Sequence, residues 1–162
     1  MHRLLVFVAL MLSVATYTGA QLCGPDVKLS TKRVKGKSPL ETNPPADKAL
    51  VYVLAPTYEG GYLQMKMSAD RSWIGVNQYK SYFVAALSPG VHDFCSKMGD
   101  NATHLKLTLE AGKSYFLRQD AVAKSGMGKP PTTLLELSQE DAAFLLKKCK
   151  RLEFAGKNKW TP

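Results

Sequence analysis

Between residues 46 and 137 the chain is organised by short alternating runs of apolar and polar positions rather than by 3.6-residue periods. Lys48 to Leu54 is a continuous apolar run of strand length, the pattern of a strand buried on both faces. Tyr62 to Ser68 alternates, with Leu63, Met65 and Met67 on one side and Gln64, Lys66 and Ser68 on the other. Ser72 to Gln78 and Ser81 to Leu87 read as two further strands. Ser88-Pro89-Gly90 then carries a type II turn signal, and Val91 to Cys95 restarts the strand pattern at once, which predicts a hairpin. His104 to Glu110 alternates most cleanly: Leu105, Leu107 and Leu109 point inward, His104, Lys106 and Thr108 outward. Ala111-Gly112-Lys113 turns the chain into Ser114 to Asp120, and Thr132 to Leu137 predicts another strand.

One helix interrupts this pattern. Ser138 is a good N-cap, Gln139, Glu140 and Asp141 suit the first turn, and Lys147, Lys148 and Lys150 suit the last. Ala142, Leu145, Leu146 and Cys149 fall on one apolar stripe, which must lie on the sheet. Arg151 to Ala155 adds a last edge strand. The sum predicts a mainly β fold, a small antiparallel β-sandwich with one C-terminal helix.

The ends differ from this middle. Met1-His2-Arg3, the apolar run Leu4 to Ala15, and small residues up to Ala20 have the layout of a cleavable signal peptide, cut between Ala20 and Gln21. The run is too short to span a bilayer. Cys23 lies where an acylated cysteine would sit, but Leu22 replaces the small residue a lipoprotein signal requires. Residues 21–45 hold six glycines and prolines, many lysines and no apolar period, and predict a flexible basic leader. Residues 46–155 form the sandwich domain and residues 156–162 a polar tail. The expected location is therefore exported, periplasmic or secreted rather than lipid-anchored.

Export makes the cysteine count informative. Cys23, Cys95 and Cys149 in an oxidising compartment allow one bridge and leave one thiol over. A Cys95–Cys149 bridge is expected, because the helix stripe brings Cys149 onto the sheet while Cys23 lies in the leader. Cys23–Cys149 is the rival.

Charge is concentrated at the ends of a chain of net +9. Residues 26–49 carry six basic and three acidic side chains, residues 124–162 eight and four, and the middle is nearly neutral. An exported protein rarely meets nucleic acid, so an anionic envelope partner is the expectation. Its candidate contacts are Lys28, Lys32, Arg33 and Lys35, with Lys147, Lys148, Lys150 and Arg151.

Catalytic constellations are largely missing from the sequence. Gly126-Met127-Gly128-Lys129 lacks the first glycine and the hydroxyl residue of a phosphate loop. His92 and Cys95 fall on opposite faces of one strand, so they form no local dyad, while Asp93 shares the face of Cys95. His104 is placed on a solvated face, no cysteine pair has zinc-knuckle spacing, and no metal or cofactor is expected. Asn101-Ala102-Thr103 matches a glycosylation sequon. Trp73, Tyr79, Tyr82, Phe83, Phe94, Tyr115 and Phe116 read as cross-strand packing, with Tyr79 near a turn as a candidate ligand edge.

The stretch Pro45 to Val53, then Trp73-Ile74-Gly75-Val76, Tyr82-Phe83-Val84, Ser88-Pro89-Gly90-Val91-His92 and Glu110 to Arg118 resembles the bacterial domain of unknown function family 2846. That resemblance implies an envelope location and a small sandwich fold, and carries over no catalytic residue. The function expected is a non-enzymatic envelope module that binds a protein or an anionic envelope component. The alternatives are a purely structural accessory domain, or an enzyme whose site is assembled from separated residues.

Overall fold

A computed structural model of the chain describes residues 23–34, 43–57, 64–121 and 131–155. The expected signal peptide with its expected cut between Ala20 and Gln21, Lys35, residues 126–129 and residues 156–162 lie outside the described residues.

Among the described residues, ten strands form two sheets and one helix packs on them. They are β1 (Ser30–Arg33), β2 (Ala49–Ala55), β3 (Met65–Ala69), β4 (Ser72–Asn77), β5 (Ser81–Leu87), β6 (Gly90–Met98), β7 (Asn101–Leu109), β8 (Ser114–Ala121), β9 (Thr132–Leu137), α1 (Gln139–Leu146) and β10 (Lys150–Ala155). One sheet has the order β1-β10-β5-β2-β8-β9, the other β4-β3-β6-β7. The expected sandwich with a late helix is what forms. Strand β2 is buried at every position, as its unbroken apolar run requires. Ala49, Val51 and Val53 face Met67, Phe94 and Leu109 of the other sheet. Leu50, Tyr52 and Leu54 face outward, where Ala142 and Leu146 of α1 cover them.

The connections depart from the simple hairpin picture. Ser88-Pro89-Gly90 was expected to close a hairpin, but β5 pairs with β2 and β10 while β6 pairs with β3 and β7. The turn is thus a corner between sheets, with Gly90 at φ +132°. Gly112, at φ +73°, turns a second corner from β7 to β8. Because the chain crosses between sheets at these corners, β8 returns beside β2 in parallel, and β10 meets β5 in parallel too. An alternating apolar pattern demands a buried face but does not say which neighbour shares it.

A buried polar network stitches the layers together. Asn77 Nδ2 donates to Val53 O and to Gln119 Oε1, each at 3.1 Å. Gln119 Nε2 donates to Ser96 Oγ at 2.8 Å, so β4, β8 and β6 share one chain of hydrogen bonds across the sandwich. Such groups tolerate burial because each has a partner.

Helix α1 begins as expected: the Asp141 N–H donates to Ser138 Oγ at 3.1 Å. It ends earlier than expected. Lys147 is its C-cap, no basic residue lies in its last turn, and Lys150 already belongs to β10. Cys149 accordingly lies past the helix.

Candidate functional site

Two places concentrate chemistry. The first is on the outer face of the four-stranded sheet. Phe94 of β6 points into the core, so by strand alternation Asp93 and Cys95 point out of the sandwich. Residues 23–29 cross that face as a strap. Cys23, 3% exposed, forms a disulfide with Cys95, 1% exposed, and Leu29 is also buried. Trp73 Nε1–H donates to Pro25 O at 2.8 Å, and the Lys66 ammonium donates to Val27 O at 2.7 Å while lying over the Trp73 ring. The leader expected to be flexible is therefore tied down here, and its residues 30–33 join the sheet as β1. Composition missed this because the ties are long-range: a bridge spanning 72 residues and bonds to side chains of other strands.

The expected Cys95–Cys149 bridge is overturned. Cys149 packs against the cluster of Leu50, Tyr52 and Tyr82, under α1 on the outer face of the six-stranded sheet. Cys95 is on the outer face of the opposite sheet. Two sheets packed about 10 Å apart separate them, beyond the 7 Å Cα spacing a disulfide tolerates. Cys149 stays a free thiol, and burial pushes its pKa up to about 11, with Lys80 pulling slightly the other way.

Around Cys95 the strand register assembles a row that sequence spacing hides. Ser68 of β3, Cys95 of β6 and His104 of β7 are directly opposite one another. His104 Nε2 lies 3.3 Å from Cys95 Sγ, and His104 Nδ1 lies 3.1 Å from Asp93 Oδ2. A carboxylate only accepts, so Nδ1 carries the proton and Nε2 is turned toward the sulfur. Ser68 is fully buried and its Oγ has no hydrogen-bond partner among the described residues. His104, expected as a solvated surface residue, is only 28% exposed at its side chain. The signal that could have found it is the turn at Gly99-Asp100, which sets the register of β6 on β7. His92 behaves as expected, on the Phe94 side of β6 and away from Cys95.

The second place is a cleft of about 210 Å³ between β5, β10 and the start of β4. Strand β10 pairs with β5 only at Lys150–Ser81 and Arg151–Tyr82, then leaves to pair with β1 from Leu152 to Ala155. Phe83 to Leu87 line the cleft without a gap, as do Arg151 to Phe154. Consecutive residues of a strand point to alternate faces, so an unbroken run means that the cleft follows the strand edge. Ser72, Trp73 and Ile74 line it from β4. Among the described residues no strand pairs with this stretch of the β5 edge.

The basic residues of the two chain ends meet beside it. Lys32 and Arg33 of β1 stand opposite Glu153 and Leu152 of β10, and the Val34 N–H donates to Arg151 O at 3.1 Å. Lys32 pairs loosely with Glu153 at 3.9 Å. Arg151 Nε is buried without a hydrogen-bond partner among the described residues. Lys148 lies over the exposed Phe144 ring. Lys28 precedes β1, and Lys147 and Lys150 bracket the turn into β10. Tyr79, 44% exposed, stands clear of the cleft under the Lys80 ammonium, whereas Tyr82, Phe83, Phe94 and Phe116 are buried as packing.

Comparison with protein families, curated proteins and solved structures finds no match for this chain. Among the described residues, no helix is long and apolar enough to cross a membrane.

Proposed function

We propose that this protein is an exported, non-enzymatic envelope module that binds a protein partner by taking an extended, acidic segment along the free edge of β5. The observation that carries this reading is the run Phe83–Leu87 at the wall of the cleft, paired with β2 on one edge and, among the described residues, with no strand on the other. An extended peptide laid there gains main-chain hydrogen bonds from the strand edge, and the apolar residues that line the cleft contact alternate side chains. The volume is below the roughly 300 Å³ at which small-molecule pockets begin, so it suits a single strand better than a compact ligand. Charge supplies the sign of the partner: Arg151 lines the cleft, and Lys32 and Arg33 of β1 stand across β10 from it, Lys32 against the Glu153 that also lines it, in a chain of net charge +9. The resemblance noted in the sequence supports the envelope location.

Selection of displayed peptides against the protein tests this. Enriched peptides should alternate apolar and acidic residues, should protect the Phe83–Leu87 amides from hydrogen exchange, and should bind more weakly as salt rises. Arg151→Glu should weaken them about tenfold or more. Peptides that bind Arg151→Glu equally well, ignore salt, or leave β5 unprotected would overturn the reading. Binding to anionic vesicles in place of peptides would move it to a lipid or wall component.

A further inference from the structure

The Cys23, Cys95 and His104 group has an arrangement that a structural disulfide does not require. Its three ligand atoms all lie within 4.8 Å of one another. A bridge buried at both sulfurs needs no imidazole, yet His104 Nε2 is aimed at Cys95 Sγ from 3.3 Å, held there by Asp93 through Nδ1. A carboxylate behind the distal nitrogen of a histidine is the arrangement that orients metal-ligating imidazoles. Tetrahedral zinc with sulfur ligands at about 2.3 Å and nitrogen at about 2.0 Å sets sulfur–nitrogen separations of about 3.5 Å. Cys95 and His104 already stand close to that value.

We infer that the reduced Cys23/Cys95 pair, together with His104, forms a zinc site, so that this face of the protein exchanges a disulfide for a metal according to redox state. A dithiol reductant supplies two electrons and two protons, the sulfur–sulfur bond breaks to two thiols, and the reductant becomes a disulfide. Zinc then displaces both thiol protons to solvent and is held by two thiolates and one neutral imidazole. Three protein ligands leave a fourth position for water. The buried Ser68 Oγ, without a partner among the described residues, is one cross-strand step from Cys95 on the same face and supplies a hydroxyl to hydrogen-bond such a water. Asp93 acts as a positioning residue. The two cysteines are 72 residues apart and the histidine comes from a neighbouring strand, which is why no close-spaced zinc motif exists in the sequence.

The test uses the chain with Cys149→Ser, so that the free thiol cannot contribute. The protein is reduced with excess dithiol, the dithiol is removed anaerobically, and cobalt(II) is titrated in as a spectroscopic probe. The expected result is one equivalent bound, with thiolate-to-cobalt charge transfer and the visible bands of tetrahedral cobalt, displaced by zinc. His104→Ala should lose the tetrahedral bands, and Asp93→Asn should weaken binding 10- to 100-fold while keeping them. The oxidised form of each variant should bind no cobalt, and its circular dichroism checks the fold. If reduction unfolds the protein, recovery of the fold on adding cobalt supports the site. Failure to recover, absence of one-to-one binding, or a spectrum unchanged by His104→Ala overturns it.

Discussion

Gly75 of β4 lies flat against the ring of Phe83 of β5, so closely that a Cβ there would stand 2.4 Å from the ring carbon Cε2. The ring is 2% exposed and belongs to the core shared by the two sheets, so it has little room to move. Gly75→Ala should therefore destabilise the protein by about 1–3 kcal/mol, the usual cost of overpacking. Denaturant unfolding measures it. Phe83→Leu in the same chain should return part of the loss through a favourable coupling. A Gly75→Ala variant as stable as the parent would show that the sheets can separate locally without cost.

Much of the fold is legible in the sequence. Ser81–Leu87 and Thr132–Leu137 begin and end where the alternation does, and the Ser138 cap starts the helix where the hydroxyl and acidic residues place it. What the pattern does not carry is partner choice. Pro89-Gly90 specifies a change of direction, and a corner between sheets satisfies it as well as a hairpin does. Whether β6 folds back on β5 or joins β3 depends on where Phe94 finds its buried neighbours, Val53 and Leu109 among them.

The candidate site was less legible for the same reason. Alternation correctly puts Asp93 with Cys95 and separates both from His92. The decisive neighbour is His104, whose position opposite Cys95 depends on the β6–β7 register. Cys23 reaches the site because Pro25, Val27 and the bridge itself hold a segment whose composition gives no reason to order. Pairing across 72 residues is set by topology, and the topology is what the sequence pattern left open.

The cysteine assignment is directly testable. Peptide mapping without reduction should find Cys23 joined to Cys95 and one free thiol at Cys149. With its pKa raised to about 11 by burial, that thiol should alkylate at pH 8 about a hundredfold more slowly in the folded protein than after unfolding. Closing a loop of 72 residues should stabilise the fold by about 4 kcal/mol in the chain-entropy model, a loss visible in Cys23→Ser. A mapped Cys95–Cys149 bridge, or rapid native labelling of Cys149, contradicts the arrangement.

Asp70 gives the fold a defined response to acid. It and Arg71 form the two-residue turn between β3 and β4, both with positive φ, at 50° and 65°. From there its carboxylate accepts the Asp93 N–H at 3.0 Å and meets His92 Nδ1 at 2.6 Å, tying the turn to β6. Burial works to raise its pKa, but the Asp93 N–H and the His92 imidazole outweigh it and hold the carboxyl below its ordinary value. The unfolded chain then binds the proton more readily than the folded one. The stabilisation is present above about pH 4 and is lost as pH falls through the lower, folded value. Since the side chain is 54% exposed, the effect should stay within about 1 kcal/mol. Asn tolerates the same backbone conformation, so Asp70→Asn removes the charge and keeps the turn. Denaturant unfolding at pH 6 should show the variant less stable than the parent, and at pH 2 the two should converge. A difference that persists undiminished at pH 2 would place the role of Asp70 in the turn itself, not in its charge.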